Sequence, residues 1–344
     1  MLRSSVVGIA LVICLSVPAR GFGPPGHRLV GAIADGVLAS KPAAAKLASL
    51  LDGLTLTEAA VIADDIKDWD GHPSPNLPWT QKPRILAEMS AYLKANHNHR
   101  TYHYTDISVV GDLKYTAGKT GCRPDDVVQM VKYCIEVLEN KQPQPNPRYI
   151  TPRVAVILLA HFVGDMHQPL HIGAAYFSRN GKLVNPDAMS GSSDDQGGNK
   201  VELFLSGHTA GVALHQHWDD GSVDAAIRAI KVAMHGKGST LTPSELSAHF
   251  VTKTPDGWPL DAGIALGDLS TAWANEMMTP AVEAHQRLHF ATLTPQVTKG
   301  QYTYFWIAQE APPAGGYKDF SGAVVDTTIH RAGWRLARLI EALL

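Results

Sequence analysis

The stretch that most constrains this chain runs from His161 through Asp165 and Pro169 to His171. If the approach to it is helical, His161 and Asp165 stand at i and i+4, one turn apart on one face. Pro169 stops a helix, so His171 leaves on a different heading. An imidazole and a carboxylate stacked on one face make half of a metal site. A histidine just past the helix end reaches a second ion beside the first.

The flanking sequence predicts helices. Thr151-Pro152 pairs an N-cap residue with proline at the first turn, and the helix it opens runs through Val154, Ile157 and Leu158 to His161 and Asp165. Apolar spacing predicts further helices over 27–40, 41–51, 83–95, 124–140, 222–236, 264–288 and 326–343. Capping-box patterns at Thr55-Glu58 and Thr242-Glu245 open two more, the first running to about Trp69 and carrying Asp64. Residues 211–219 read as helical and carry a second His-x-x-x-Asp pair, His215 and Asp219. Tyr102 to Thr105 and Val201 to Leu205 read as extended, and 178–198 as a polar loop. No βαβ alternation and no internal repeat are visible. The expected fold is mostly α: one multi-helix domain over 22–344 with a few short strands.

The first 21 residues read as a secretory signal rather than fold. Arg3 gives a basic start, Val6 to Val17 an apolar run, and small residues precede a cleavage point after Gly21. That run is too short to span a bilayer, and no longer one follows, so no stable membrane association is expected. Of three cysteines, Cys14 would leave with the signal. Cys122 and Cys134, placed on the 124–140 helix at ~1.5 Å rise per residue, would stand on the order of 18 Å apart, too far to bridge. A net charge of −2 leaves no basic footprint, so a polyanionic substrate would have to be attracted by metal ions.

Sixteen histidines are many for 344 residues. A lone histidine on an apolar helix face is usually a hydrogen-bonded core residue, and Asp64 or Asp65 alone reads as a solvated charge. Two His-x-x-x-Asp pairs on separate helices, with Asp64, His103, His171 and His27 around them, favour zinc ligation over that account. His27 lies five residues past the cleavage point. There a freed α-amino group and the first carbonyl oxygen could chelate an ion, so signal removal would also assemble the site. The alternative is a frayed terminus.

At these positions the chain resembles the secreted zinc-dependent single-strand nucleases and 3′-nucleotidases of the S-one/P-one type. Phe22-Gly-Pro-Pro-Gly-His27 matches a mature N-terminus that normally begins with Trp, and Ile62-Ala-Asp64 matches Trp-Ala-Asp. His103-Tyr-Thr-Asp106 and the whole central stretch match. Gly197-Gly-Asn-Lys200, Leu214 to Asp219, Trp273-Ala-Asn-Glu276 and Ala332-Gly-Trp-Arg335 follow in the family's order. The central motif is highly specific, whereas Gly-Gly-Asn-Lys alone is weak. The likeness covers the mature length. Phe22 in place of Trp, a longer 172–196 segment and the loss of the fungal members' cysteines are departures.

The resemblance implies three Zn2+ ions. Asp64, His103, His161 and Asp165 would hold the first. His171, His215 and Asp219 would hold the second. Phe22, through its amine and carbonyl, with His27 and a shared Asp165 would hold the third. It also implies Lys67 on phosphate, Asn199 orienting the cleft, Tyr104 stacking on a base and Asp106 at the base's edge. The expected substrates are single-stranded DNA and RNA, cut to 5′-phosphate products, and 3′-nucleotides. No protein partner is implied, and a monomer is expected. Two readings stay open beside this one: a zinc-dependent phospholipase C, whose last helix pair reads His-x-x-x-Glu, and a non-catalytic periplasmic zinc-binding protein.

Overall fold

In the computed structural model the described residues are 22–67, 69, 76–235, 240–300, 302–312 and 316–344. The leader, Asp68 and Asp70 lie outside them. The centre of the fold is set by a segment with almost no polar face. Thr151 accepts from the Val154 N–H as N-cap, Pro152 opens the helix, and every residue from Arg153 to Asp165 is buried. A helix that is apolar nearly all round has to sit inside other helices.

The helices around it are α1 (Gly23–Leu38), α2 (Pro42–Leu50), α3 (Leu56–Ala59), α4 (Ile62–Asp65), α5 (Pro83–Ala95) and α6 (Val127–Leu138) before the central α7 (Pro152–Asp165). After it come the single turn α8 (Leu214–Gln216), α9 (Ser222–His235), α10 (Pro243–Val251), α11 (Leu269–Gln286) and α12 (Tyr317–Leu343). Helix α7 packs against α1, α3, α4, α5, α6 and α12. Among the described residues no helix is long and apolar enough to cross a membrane.

Several elements differ from the sequence-based expectation. The Thr55-Glu58 capping box forms, but its helix stops at Ala59 and restarts at Ile62. The break frees the Ala60 carbonyl, which accepts from His161. Asp65 is not a solvated charge; its Oδ2 accepts the Trp79 indole N–H at 3.0 Å. His99–His103 is a 3-10 turn, and extended backbone begins only at Tyr104. Helix α7 ends at Asp165, before Pro169 is reached, and Pro169–His171 forms its own 3-10 turn. Helix α6 starts at Val127 because Asp126 caps it, so Cys122 lies in the preceding turn. Both Cys122 and Cys134 are buried and free.

The strands are mostly short: β1 (Ile107–Ser108), β2 (Gly173–Ala174), β3 (Tyr176–Phe177), β4 (Ser193–Asp194), β5 (Val201–Phe204) and β6 (Val212–Ala213). The exception is a hairpin absent from the sequence reading, β7 (Leu288–Lys299) with β8 (Tyr302–Glu310). It joins a four-stranded sheet in the order β6-β5-β8-β7, with β5 and β8 parallel. Trp306 of β8 is buried and stacks on Phe177 with ring centroids 4.5 Å apart, which anchors the sheet to the helical body.

Candidate metal centre

The site begins on one face of α7. His161 Nε2 and Asp165 Oδ2 are 3.1 Å apart across one turn. The 3-10 turn before Tyr104 brings His103 Nδ1 to 2.9 Å from the same carboxylate oxygen and 3.0 Å from His161 Nε2. Asp64, on the short helix α4, places Oδ1 3.5 Å from His161 Nε2. These four side chains converge as the first predicted group. The other oxygen of Asp165, Oδ1, is 3.3 Å from His27 Nε2. The His27 ring stacks on His161 at 3.8 Å, and a Cβ at Gly164 would lie 2.8 Å from His27 Nδ1, so glycine there makes room for the ring. Phe22 is buried at the start of α1, its ring centroid 6.4 Å from that of His27.

The second predicted group assembles next to the first. His171 Nε2 and His215 Nε2 are 3.1 Å apart. Asp219 Oδ2 lies 3.4 Å from His215 Nε2, and its Oδ1 3.8 Å from His171 Nε2. Asp219 is not on a regular helix: His217–Gly221 is a π turn following α8. His171 Nδ1 is also 3.6 Å from Asp165 Oδ1, so Asp165 touches both halves.

Backbone carbonyls fix which nitrogen three of the histidines present. His161 Nδ1–H donates to Ala60 O at 2.7 Å, His171 Nδ1–H to His103 O at 2.8 Å and His215 Nδ1–H to Gly197 O at 2.7 Å. Each bond leaves the Nε2 lone pair aimed into the cluster. His103 is reversed and turns Nδ1 inward. The sequence reading missed Gln168, whose Nε2–H donates to Asp219 Oδ1 at 2.8 Å and whose Oε1 accepts from the Leu170 N–H. Its position inside the central motif was the available clue. The carbonyl acceptors leave no trace in side-chain identity.

Three sets of donors, His27/His161/Asp165, Asp64/His103/His161 and His171/His215/Asp219, each lie within 4.8 Å of one another. Buried polar atoms without a hydrogen-bond partner gather here: both ring nitrogens of His27, Asp64 Oδ2, Asp165 Oδ1 and Asp219 Oδ2. Orphaned buried groups are costly, roughly 1–3 kcal/mol each, and a bound cation offsets that cost. Burial lowers His27 to about 4, and His103 and His215 to about 3; neighbouring positive groups add to each shift. These three imidazoles are therefore neutral at pH 7, the form that ligates metal. Burial would raise Asp165, but His161, His171 and His103 outweigh it and hold the carboxyl well below its ordinary range. Asp219 is pushed well above its range by burial, with only Gln168 and distant Lys67 opposing. A carboxylate there calls for a cation. The donor set of imidazole nitrogen and carboxylate oxygen suits zinc.

Above the cluster opens a cleft of ≈ 240 Å³, lined among others by Lys67, Arg100, Tyr104, Asp106, Gln196 and Asn199. Lys67 Nζ is 2.7 Å from Asp64 Oδ1, and Arg100 Nε–H donates to the Lys67 carbonyl. Arg100 and Gln196 were not among the expected cleft residues. Tyr104 is half-buried, with the Arg123 guanidinium 4.6 Å over its ring. Asp106 is raised to about 7 by burial and by Asp194, against the pull of Arg123. Asn199 Nδ2–H donates to Gln196 O, and its Oδ1 is buried without a partner. Two other motifs face away from the cleft: Arg335 pairs with Asp261 and Glu276 and donates to His167 Nε2, and Trp273 donates to Asp261. Trp273, Glu276 and Arg335 tie α11, α12 and the turn after α7 together as scaffold.

Two Arabidopsis thaliana proteins are similar in sequence. Endonuclease 1 is 23% identical over 228 residues, covering 65% of this chain and 60% of its own. Endonuclease 4 is 24% identical over 146 residues, covering 42% and 40%. The chain thus spans about 60% of the length of the first of these relatives. The sequence profile of the S1/P1 nuclease family matches residues 22–344, which take in every side chain of the cluster and the cleft. On that match the chain belongs to the S1/P1 nuclease family.

Proposed function

We propose that this protein is a secreted, zinc-dependent hydrolase that cleaves single-stranded DNA and RNA to 5′-phosphate products and removes phosphate from 3′-nucleotides. The observation that carries the reading is the shared Asp165: one carboxylate between two donor groups and 3.6 Å from the third, buried against His103 and His171, which line a cleft together with Lys67. Membership of the nuclease family and the names of the two plant relatives support it. In this reading Asp64, His103, His161 and Asp165 hold one ion, and His171, His215 and Asp219 a second. His27, Asp165 and the backbone of Phe22 hold a third, after cleavage behind Gly21 frees the amine.

When bound, zinc supplies Lewis acidity at phosphorus and a water that is nucleophilic at neutral pH. The protein's own groups do the remaining work. Lys67 carries a raised pKa, because Asp64 and Asp165 outweigh its burial, and so presents a fixed positive charge to a non-bridging phosphate oxygen. Tyr104 stacks on an unpaired base, which selects single strands with weak sequence preference. Asp106 meets the edge of that base, and the amide of Asn199 orients the substrate. Carbonyl-held imidazoles keep their nitrogens in place without reorganisation.

The test is hydrolysis of single-stranded DNA, RNA and 3′-AMP by the processed protein, with and without a chelator. Release of inorganic phosphate and 5′-phosphorylated fragments, abolished by the chelator and restored by zinc, is expected. Diacylglycerol release with no attack on DNA would replace this reading with a phospholipase C. Stoichiometric zinc without turnover would replace it with a binding protein.

A further inference from the structure

We infer that Arg123 is the positioning residue of the base subsite, setting both the stacking platform and the hydrogen-bonding edge that a nucleobase meets. The inference rests on the proposed function above and assigns a role to a residue that the metal cluster does not need. Arg123 is delivered from a rigid place, the turn before α6, where its backbone N–H donates to Asp126 Oδ2 at 2.9 Å. Its Nη2–H donates to the carbonyls of Thr101 at 2.8 Å and Tyr104 at 3.2 Å. Its Nη1 reaches Asp106 Oδ2 at 3.4 Å. The guanidinium carbon stands 4.6 Å from the Tyr104 ring centroid. One planar cation, pinned by two carbonyls, therefore bridges the ring and the carboxylate.

Two consequences follow from that geometry. The guanidinium covers one face of Tyr104, so the ring stacks a single base on the other face, and the cation behind it strengthens the platform. The carboxylate of Asp106 has one oxygen committed to Arg123, while Oδ1 is buried and without a partner beside the cleft. In its ionised form, which Arg123 favours, this carboxylate is an acceptor only. It pairs best with base edges that offer N–H groups. Guanine offers two adjacent donors, N1–H and N2–H, whereas uracil offers one flanked by carbonyls. The subsite thus favours guanosine over uridine nucleotides, and Arg123 sets that preference without touching the reacting phosphate.

The test uses the processed, zinc-loaded chain with 3′-GMP, 3′-UMP and ribose 3-phosphate, comparing wild type, Arg123→Lys, Arg123→Met and Tyr104→Ala. Titration with guanosine and uridine, which carry no phosphate, gives a second readout as Kd. Wild type is expected to rank 3′-GMP over 3′-UMP over ribose 3-phosphate in kcat/KM. Arg123→Met should raise KM for 3′-GMP about tenfold with kcat within twofold, and bring the guanosine and uridine values of KM and Kd together. Arg123→Lys, which keeps a cation for Asp106 but no plane behind Tyr104, should recover the base ratio while KM stays raised. Zinc content and melting temperature are recorded for each variant, and Arg123→Lys carries the comparison if Arg123→Met does not fold. Equal loss of kcat on all three substrates would make Arg123 a fold support and overturn the inference. So would wild-type KM and base ratio in Arg123→Met beside a raised KM in Tyr104→Ala, which would leave the base subsite standing. A wild type that treats 3′-GMP and ribose 3-phosphate alike would remove the subsite itself, and no release of phosphate from any substrate would remove the proposed function; either result sinks the inference too.

Discussion

On the α7 side of the cluster, three of the five donors sit on long helices, His27 on α1 and His161 and Asp165 on α7, which is buried from Arg153 on; Asp64 on the short α4 and His103 on a 3-10 turn come against them. On the other side, His171 comes from a three-residue 3-10 turn, His215 from one helical turn and Asp219 from a π turn. The electrostatics divide the same way. Asp165 is ringed by imidazoles and held ionised, whereas Asp219 is pushed toward its protonated form. Geometry preset by a helix needs little help from an ion, while geometry spread over three turns needs a cation to complete it. Three side chains, His171, His215 and Asp219, converge in the second group, so a zinc ion held there as proposed would keep a position open for substrate or water.

The largest effect that would break this comparison comes from the shared carboxylate. Asp165→Ala removes a donor from two groups at once. On the proposed three-zinc reading it is expected to cost two of three ions by elemental analysis and at least about 10³-fold in activity on single-stranded DNA, because the ion left at His171, His215 and Asp219 would have no partner ion beside it. Asp219→Ala should cost one ion and leave the Asp64/His103/His161 group loaded. Equal zinc loss in the two variants would show that the halves are one cooperative site.

A smaller, sharper probe is Gln168→Ala. It leaves every ligand in place and removes the N–H that holds Asp219 Oδ1 at 2.8 Å. Loss of such an outer partner typically weakens metal affinity about 10- to 100-fold. Competition with a chromophoric chelator should find one of the three zinc affinities lowered in that range and the other two at wild-type values. A uniform fall across all three would mean that Gln168 supports the fold rather than one half of the cluster.

What the sequence disclosed divides along the same line. His161 and Asp165 were legible because i, i+4 spacing on a helix is a local rule, and Thr151-Pro152 marks where that helix begins. His215 and Asp219 have the same spacing and were placed together correctly, but their backbone was misjudged, since a π turn and a helix share that pattern. The carbonyls of Ala60, His103 and Gly197 were illegible, because a backbone acceptor looks the same at every residue. The β7–β8 hairpin left a trace that went unread. Tyr302 to Ile307 is an unbroken run of aromatic and β-branched residues, strand-forming by composition, in which Tyr304 and Trp306 turn inward. The bridge from Arg123 to Tyr104 and Asp106 spans 19 and 17 residues, with no periodicity to announce it.

The smallest effect tests the electrostatic half of the comparison in chelator-stripped protein, by melting Asp165→Asn and Asp219→Asn across pH. The folded pKa of Asp165 lies below its unfolded value, so its ionisation adds stability above the unfolded pKa, near 3.8, that is lost as pH falls through the folded pKa. Asp165→Asn should therefore melt lower than wild type at pH 7, with the gap closing in acid. The folded pKa of Asp219 lies above its unfolded value, so the unfolded chain sheds this proton first as pH rises, and the native state is penalised near neutrality. Asp219→Asn should then melt higher than wild type at pH 7, again with the gap closing toward pH 3. Single substitutions of roughly 1 kcal/mol move the melting point of a chain this size by only about 1–2 °C, but the two shifts have opposite signs. His27, His103 and His215 have folded pKa values below the ordinary 6.5, so protonation of the unfolded chain lowers every curve as pH falls. Asp165 helps to hold all three up, so Asp165→Asn steepens that slope, and the sign of each variant is read at pH 7, where the three are neutral. Both variants melting below wild type at pH 7 would mean that Asp219 is held by its hydrogen bond from Gln168 more firmly than burial opposes its charge, and the two halves of the cluster would no longer differ in the way the geometry implies.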